Sequence, residues 1–87
     1  MIMMNLKTRS NRIDSAIDEL FESRTGQIAN QNVVHVSNFA KNEFGIDMDR
    51  TAQIYMGVTM DGSKLIESES LDYLEYCENK LGIGDHK

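Results

Sequence analysis

What most constrains this chain is a run of apolar residues spaced three and four apart near its start. Leu6, Ile13, Ala16, Ile17, Leu20 and Phe21 recur at the period of one helix face, while Asp14, Asp18, Glu19 and Glu22 fall elsewhere. The spacing predicts a helix over residues 8–24. Thr8 or Ser10 is placed to cap its start, Gly26 to end it, and Arg24 to face the negative end of its dipole. Such a stripe must be covered by other elements. With 87 residues the chain has room for one domain spanning 1–87, with 1–5 and 84–87 expected as flexible ends. A chain this short buries only roughly 60–65 % of its unfolded surface, so a partner or a dimer would add useful stability.

The next elements are shorter. Residues 32–36 (Asn-Val-Val-His-Val) are β-branched and flanked by polar residues, which suits a short strand. Ser37 then fits the cap of a helix over 38–44, with Phe39, Ala40 and Phe44 inward and Gly45 at its end. Residues 47–57 read two ways. As a helix, Met48, Ala52, Tyr55 and Met56 share a face; as a strand, Ile54, Met56, Val58 and Met60 alternate with their neighbours. A short helix to residue 55 reconciles them, followed by a hairpin in which Asp61-Gly62 joins 58–60 to 64–66. A last helix is expected over 71–81, capped by Ser68 or Ser70. Its stripe is Leu71, Leu74, Cys77 and Leu81, and Gly82-Ile83 forms its stop.

Through the hairpin, this order of elements resembles the winged-helix motif class, the likeness resting on residues 34–64 with an extra helix after them. The expected fold is therefore α+β: winged-helix-like, with helices packed against a short β-hairpin, plus a C-terminal helix. That resemblance implies a nucleic-acid surface, and the charges oppose it. A groove reader carries several cations, whereas the second helical face here has Arg50 alone beside Asp47 and Asp49.

Net charge is −5, unevenly spread. Lys7, Arg9 and Arg12 precede every acid, and from residue 13 onward six basic side chains face all fourteen acids, leaving −8. That bulk repels a phosphate backbone. Cys77 is the single cysteine, so no internal disulfide is available and a reducing cytoplasm is the expected location. Met1-Ile-Met-Met4 is too short for a signal-peptide core, with Met3 or Met4 as alternative starts, and no run approaches the ~18–20 apolar residues of a membrane span.

No catalytic, cofactor or metal motif emerges. Gly82-Ile-Gly84 follows a helix and lacks a third glycine, so it is no phosphate loop. His35, Cys77 and His86 lack metal-ligand spacing. Glu67, Glu69, Asp72, Glu75 and Glu78 read as the solvated face of the last helix rather than as paired acids for catalysis. Tyrosine is enriched at interface hot spots, which makes Tyr55, Tyr73 and Tyr76, with Glu69 and Asp72, the candidate protein-binding residues. The first expectation is a small non-catalytic regulator that binds and modulates, or inhibits, another protein, such as an enzyme that handles nucleic acid. The alternative is a DNA- or RNA-binding regulator using Lys7, Arg9, Arg12, Lys41, Arg50 and Lys64. A structural or assembly component, whose sign would be dimerisation through the 6–21 stripe, is a third reading.

Overall fold

A computed structural model describes residues 5–59 and 61–83. Among them are four α-helices: α1 (Leu6–Thr25), α2 (Val33–Phe44), α3 (Met48–Met56) and α4 (Glu67–Leu81), with a 3-10 turn at Ala29–Gln31. The α+β, winged-helix expectation is thereby overturned, because no strand or sheet forms among the described residues. What stands in place of the hairpin is one antiparallel bridge, Val58 to Lys64. The Asp61-Gly62 turn does form. Gly62 has φ +86°, the Asp61 carboxylate accepts from the Ser63 N–H at 3.0 Å, and the Thr59 hydroxyl also bonds it. A lone two-stranded hairpin is marginal in water, and α4 begins three residues after the bridge, too soon for strands to extend. Met60, expected in the hairpin, lies outside the described residues, as do the expected loose ends 1–4 and 84–87.

The helix α1 starts earlier than predicted. Asn5 Oδ1 accepts from the Thr8 N–H at 2.8 Å, and neither Thr8 nor Ser10 is the cap. Ser10 is instead wholly buried, and its hydroxyl donates to the Thr51 carbonyl at 2.6 Å, stitching α1 to α3. The predicted stripe is otherwise the core: Ile13, Ile17 and Phe21 are buried against α3 and α4. These three are therefore covered within the chain, while Leu6, Ala16 and Leu20 of the same stripe are half-buried.

Residues 33–36, expected as a strand, are the first turn of α2, and Ser37 lies inside that helix rather than at its cap. The reason is tertiary. Val36 and Ala40 stand four apart and both are buried, so a helix continues the inward face whereas a strand would scatter it. Phe39 completes this side, edge-on to Phe21 at 5.7 Å and to Phe44 at 5.8 Å. In α3, capped by the Asp47 side chain, the buried residues are Thr51 and Ile54. The expected face of Ala52, Tyr55 and Met56 points outward, leaving only Met48 packed on the core. The last helix begins at Glu67, four residues before the expected start, and Ser70 is buried within it instead of capping it. Its end is as the Gly82-Ile83 pair predicts: Gly82 is left-handed and Ile83 packs on the core.

One ion pair closes the assembly. Arg9 Nε donates to Glu78 Oε2 at 2.9 Å and its Nη2 to Oε1 at 2.6 Å, a bidentate clasp between the start of α1 and the end of α4. Glu78 is 4 % exposed, so its charge depends on this partner. Beside the clasp, Arg12 donates to the Ile83 carbonyl at 2.6 Å. The α2–α3 turn is fixed by Gly45, left-handed at φ +67° with the Tyr76 hydroxyl 2.9 Å from where a Cβ would stand. The Gly45→Ala variant is expected to lose at least about 1 kcal/mol from the backbone alone, lowering the melting temperature by several degrees. Arg9→Ala should destabilise by about 3 kcal/mol in chemical denaturation by stranding a buried carboxylate. The double change Arg9→Met with Glu78→Leu should recover most of that loss.

Candidate functional site

The acids of α4 and the loop before it form the most uniform surface. Between Lys64 and Lys80 no basic residue occurs, and Glu67, Glu69, Asp72 and Glu75 are all exposed. Glu67 and Glu69 sit in the first turn, where the helix dipole favours negative charge. Glu69, Asp72 and Tyr76 fall at i, i+3 and i+7, one face of the helix. Ile66, 58 % exposed, precedes this face. Tyr55, Met56 and Val58, also exposed, belong to the same 55–66 segment of chain as Ile66.

The three tyrosines do different things. Tyr73 is half-buried: its hydroxyl donates to the Asp47 carbonyl at 2.7 Å and accepts from the Asp47 N–H at 2.9 Å, bracing the start of α3. Burial, with help from the neighbouring Cys77, pushes its phenol above the ordinary range. Tyr76 stacks on it with ring centres 6.4 Å apart and reaches the Phe44 and Gly45 carbonyls at 3.5 and 3.4 Å. Tyr55 is exposed and lies under the Lys7 ammonium at 5.1 Å. Tyr73 thus belongs to the framework, while Tyr76 and Tyr55 keep accessible edges.

The predicted cations do not gather. Arg9 and Arg12 are held on the α1–α4 seam. Lys7 lies over Tyr55, and Arg50 covers the Tyr73 ring at 4.8 Å. Lys41 lines a shallow depression with Asp47 and Asp49. Besides Arg9 and Arg12 on that seam, the structure brings together Arg50 and Lys64, which line a cleft of about 270 Å³ between α3 and the start of α4. Asp47 and Glu69 line the same cleft and oppose them. Two cations not weighed as site residues are also engaged: Arg24 bonds Glu43 at 3.2 Å and lies 5.7 Å from both the Phe39 and Phe44 rings, and Lys80 covers Tyr76 at 5.5 Å. His35, expected on a strand edge, is exposed on α2, and His86 lies outside the described residues. Among the described residues no cluster of three or more His, Cys, Asp or Glu side chains could hold a metal, and no helix is long and apolar enough to cross a membrane.

Two polar residues that matter most were hidden in the sequence pattern. Glu78 was assigned to the solvated face, yet it lies with Leu74, Cys77 and Leu81 at i, i+3, i+4 and i+7 of the buried stripe. Asp14 likewise sits between Ile13 and Ile17. A carboxylate on an apolar stripe was the available signal. Asp14 Oδ1 is buried with no hydrogen-bond partner among the described residues. Burial and the neighbouring Asp18 raise its carboxyl to about 6, against a weaker opposing contact with Thr51. Cys77, on the adjoining face of α4, is buried, and its thiol is pushed up to about 11, mainly by burial. A thiol so placed is a core residue rather than a nucleophile.

Because the folded state holds the Asp14 proton more tightly than the unfolded chain, the Asp14 contribution to stability is fully present below the ordinary carboxyl range and is lost as pH rises through about 6. Asp18, raised by burial and by Glu22, adds a slope of the same sign. Urea midpoints should fall between pH ~4 and ~7, with an Asp14 contribution on the order of 1–2 kcal/mol once its partial contact with water is allowed for. The Asp14→Asn variant should flatten most of that slope. Comparison with models of known families, with curated proteins and with solved structures finds no match to this chain.

Proposed function

We propose that this protein is a non-catalytic regulator that binds a basic surface on another protein through the exposed acidic face of α4 and the apolar residues beside it. The observation that carries this reading is the separation of charge. Four exposed carboxylates, Glu67, Glu69, Asp72 and Glu75, follow one another along α4 with no cation among them. Six of the nine basic side chains, meanwhile, are engaged by internal partners: Lys7, Arg9, Arg12, Arg24, Arg50 and Lys80. A predominantly acidic face, with Lys80 over Tyr76 and with Arg50 and Lys64 beside Glu69 at its edges, steers a basic partner and disfavours a phosphate backbone. Exposed Ile66 and Tyr76 supply the apolar and aromatic area that charge alone does not.

The alternative, contact with nucleic acid, rests on Arg50 and Lys64 in the α3–α4 cleft. Two cations against Asp47 and Glu69 fall well short of the roughly six to ten phosphate contacts of a strong binder. An enzyme that handles nucleic acid fits better as the partner, since such enzymes carry the basic surfaces this face complements.

The test uses the tagged full chain, wild type and a Glu69→Lys, Asp72→Lys, Glu75→Lys triple variant, on extracts of the native host. All three residues are exposed, and because Glu75 also favours the Arg9 charge, unchanged helical circular dichroism of the variant is the control that must hold first. The wild type should retain a defined protein that is lost with the variant and weakened by salt. Equal retention by both would reject the α4 face. No retained protein, together with a salt-sensitive mobility shift of DNA or RNA abolished by Arg50→Ala with Lys64→Ala, would establish the alternative.

A further inference from the structure

The cleft between α3 and the start of α4 holds charges of both signs that do not meet. Arg50 and Lys64 line it together with Asp47 and Glu69, yet among the described residues neither cation forms an ion pair with either acid. Arg50 is fixed all the same. Its guanidinium lies 4.8 Å from the centre of the Tyr73 ring, and the Tyr73 hydroxyl is tied to both the N–H and the carbonyl of Asp47. Stacking occupies the face of a guanidinium and leaves open its edge, the fork of N–H donors that matches a carboxylate. The Asp47 carboxylate is committed to the cap of α3, where it accepts from the Asp49 N–H at 3.0 Å. Glu69 is the acid of the cleft with no such duty among the described residues.

Donors and apolar walls complete the space. Ser70 lines the cleft at 3 % exposure, and its hydroxyl has no hydrogen-bond partner among the described residues. Buried hydroxyls nearly always have a partner, and an acceptor in the cleft would supply one. The cap position of α4 is Ile66, which offers no side-chain acceptor, so N–H groups of the first turn stand open beside the cleft. Ile54, Leu65 and Ile66 provide aliphatic surface. The volume of about 270 Å³ lies just below the roughly 300–1,000 Å³ of ordinary ligand pockets, so the occupant is small.

We propose that this cleft binds a free α-amino acid with an aliphatic side chain. Its carboxylate sits with Arg50, Lys64 and the Ser70 hydroxyl, its ammonium with Glu69, and its side chain against Ile54 and Leu65. The charges select this occupant. A neutral apolar molecule would cover these charged groups without pairing them, and a phosphate would meet Glu69 and Asp47 with nothing to offset them. A zwitterion answers both signs within one small frame. The assignment goes beyond the protein-binding reading and does not depend on it, although Glu69 stands at the edge of both surfaces.

Amide NMR of the full chain, titrated with L-leucine or L-valine, reads the outcome. Resonances around Arg50, Lys64 and Ser70 should move saturably, with a dissociation constant of about 1 mM or tighter. Isoamylamine is leucine without its carboxylate, and isocaproate is leucine without its ammonium; each should bind at least tenfold more weakly. Arg50→Gln and Glu69→Gln, both at exposed positions, should each weaken leucine binding at least tenfold while keeping the helical signal. Arg50→Gln should leave the weak binding of isoamylamine unchanged, and Glu69→Gln that of isocaproate. A merely structural effect would move all three compounds together. No saturable shift with either amino acid, tighter binding of inorganic phosphate than of leucine, or leucine binding indifferent to both variants would overturn the proposal.

Discussion

The bidentate clasp of Arg9 and Glu78 sets the terms for the rest of the molecule. It is the ion pair whose carboxylate is almost wholly withdrawn from water, and it joins residues sixty-nine positions apart. Drawing the two ends of the chain together forces α4 to lie along α1, and that burial closes Ile13, Ile17, Leu74 and Cys77 into one core. A buried pair offers little net stability over an apolar pair of the same volume. Its contribution is selection: any register that separates the two leaves a charge stranded. The Ser10–Thr51 bond performs the same task between α1 and α3 with neutral groups. The α1 helix thus carries a polar stitch toward each of its main neighbours.

Those stitches alter the outside as well. Counting residues assigns the start of the chain a cluster of three cations, but Arg9 and Arg12 turn onto the α4 seam and Lys7 onto Tyr55. Arg50 lies on Tyr73 in the same manner. Most acids stay exposed, so the field a partner meets is more negative in places than the formal charge suggests. A cation over an aromatic face or in a clasp is still charged, yet its donors are committed and its approach to a phosphate is restricted.

Much of the helical framework was legible. The α1 stripe, the glycine stops at 26, 45 and 82 and the existence of a last helix all follow from periodicity and capping chemistry. The failures have particular causes. Val33 and Val34 look like strand because β-branched residues usually are, and only the position of Val36 and Ala40 against Phe21 and Phe39 decides for helix. Asp61-Gly62 was correctly read as a turn, but a turn specifies a reversal of direction and not the strands on either side. Three residues after the bridge, α4 claims the chain. Glu78 and Asp14 were misassigned because hydrophobic patterning treats every carboxylate as solvent-facing. Position on the stripe was better evidence than residue type.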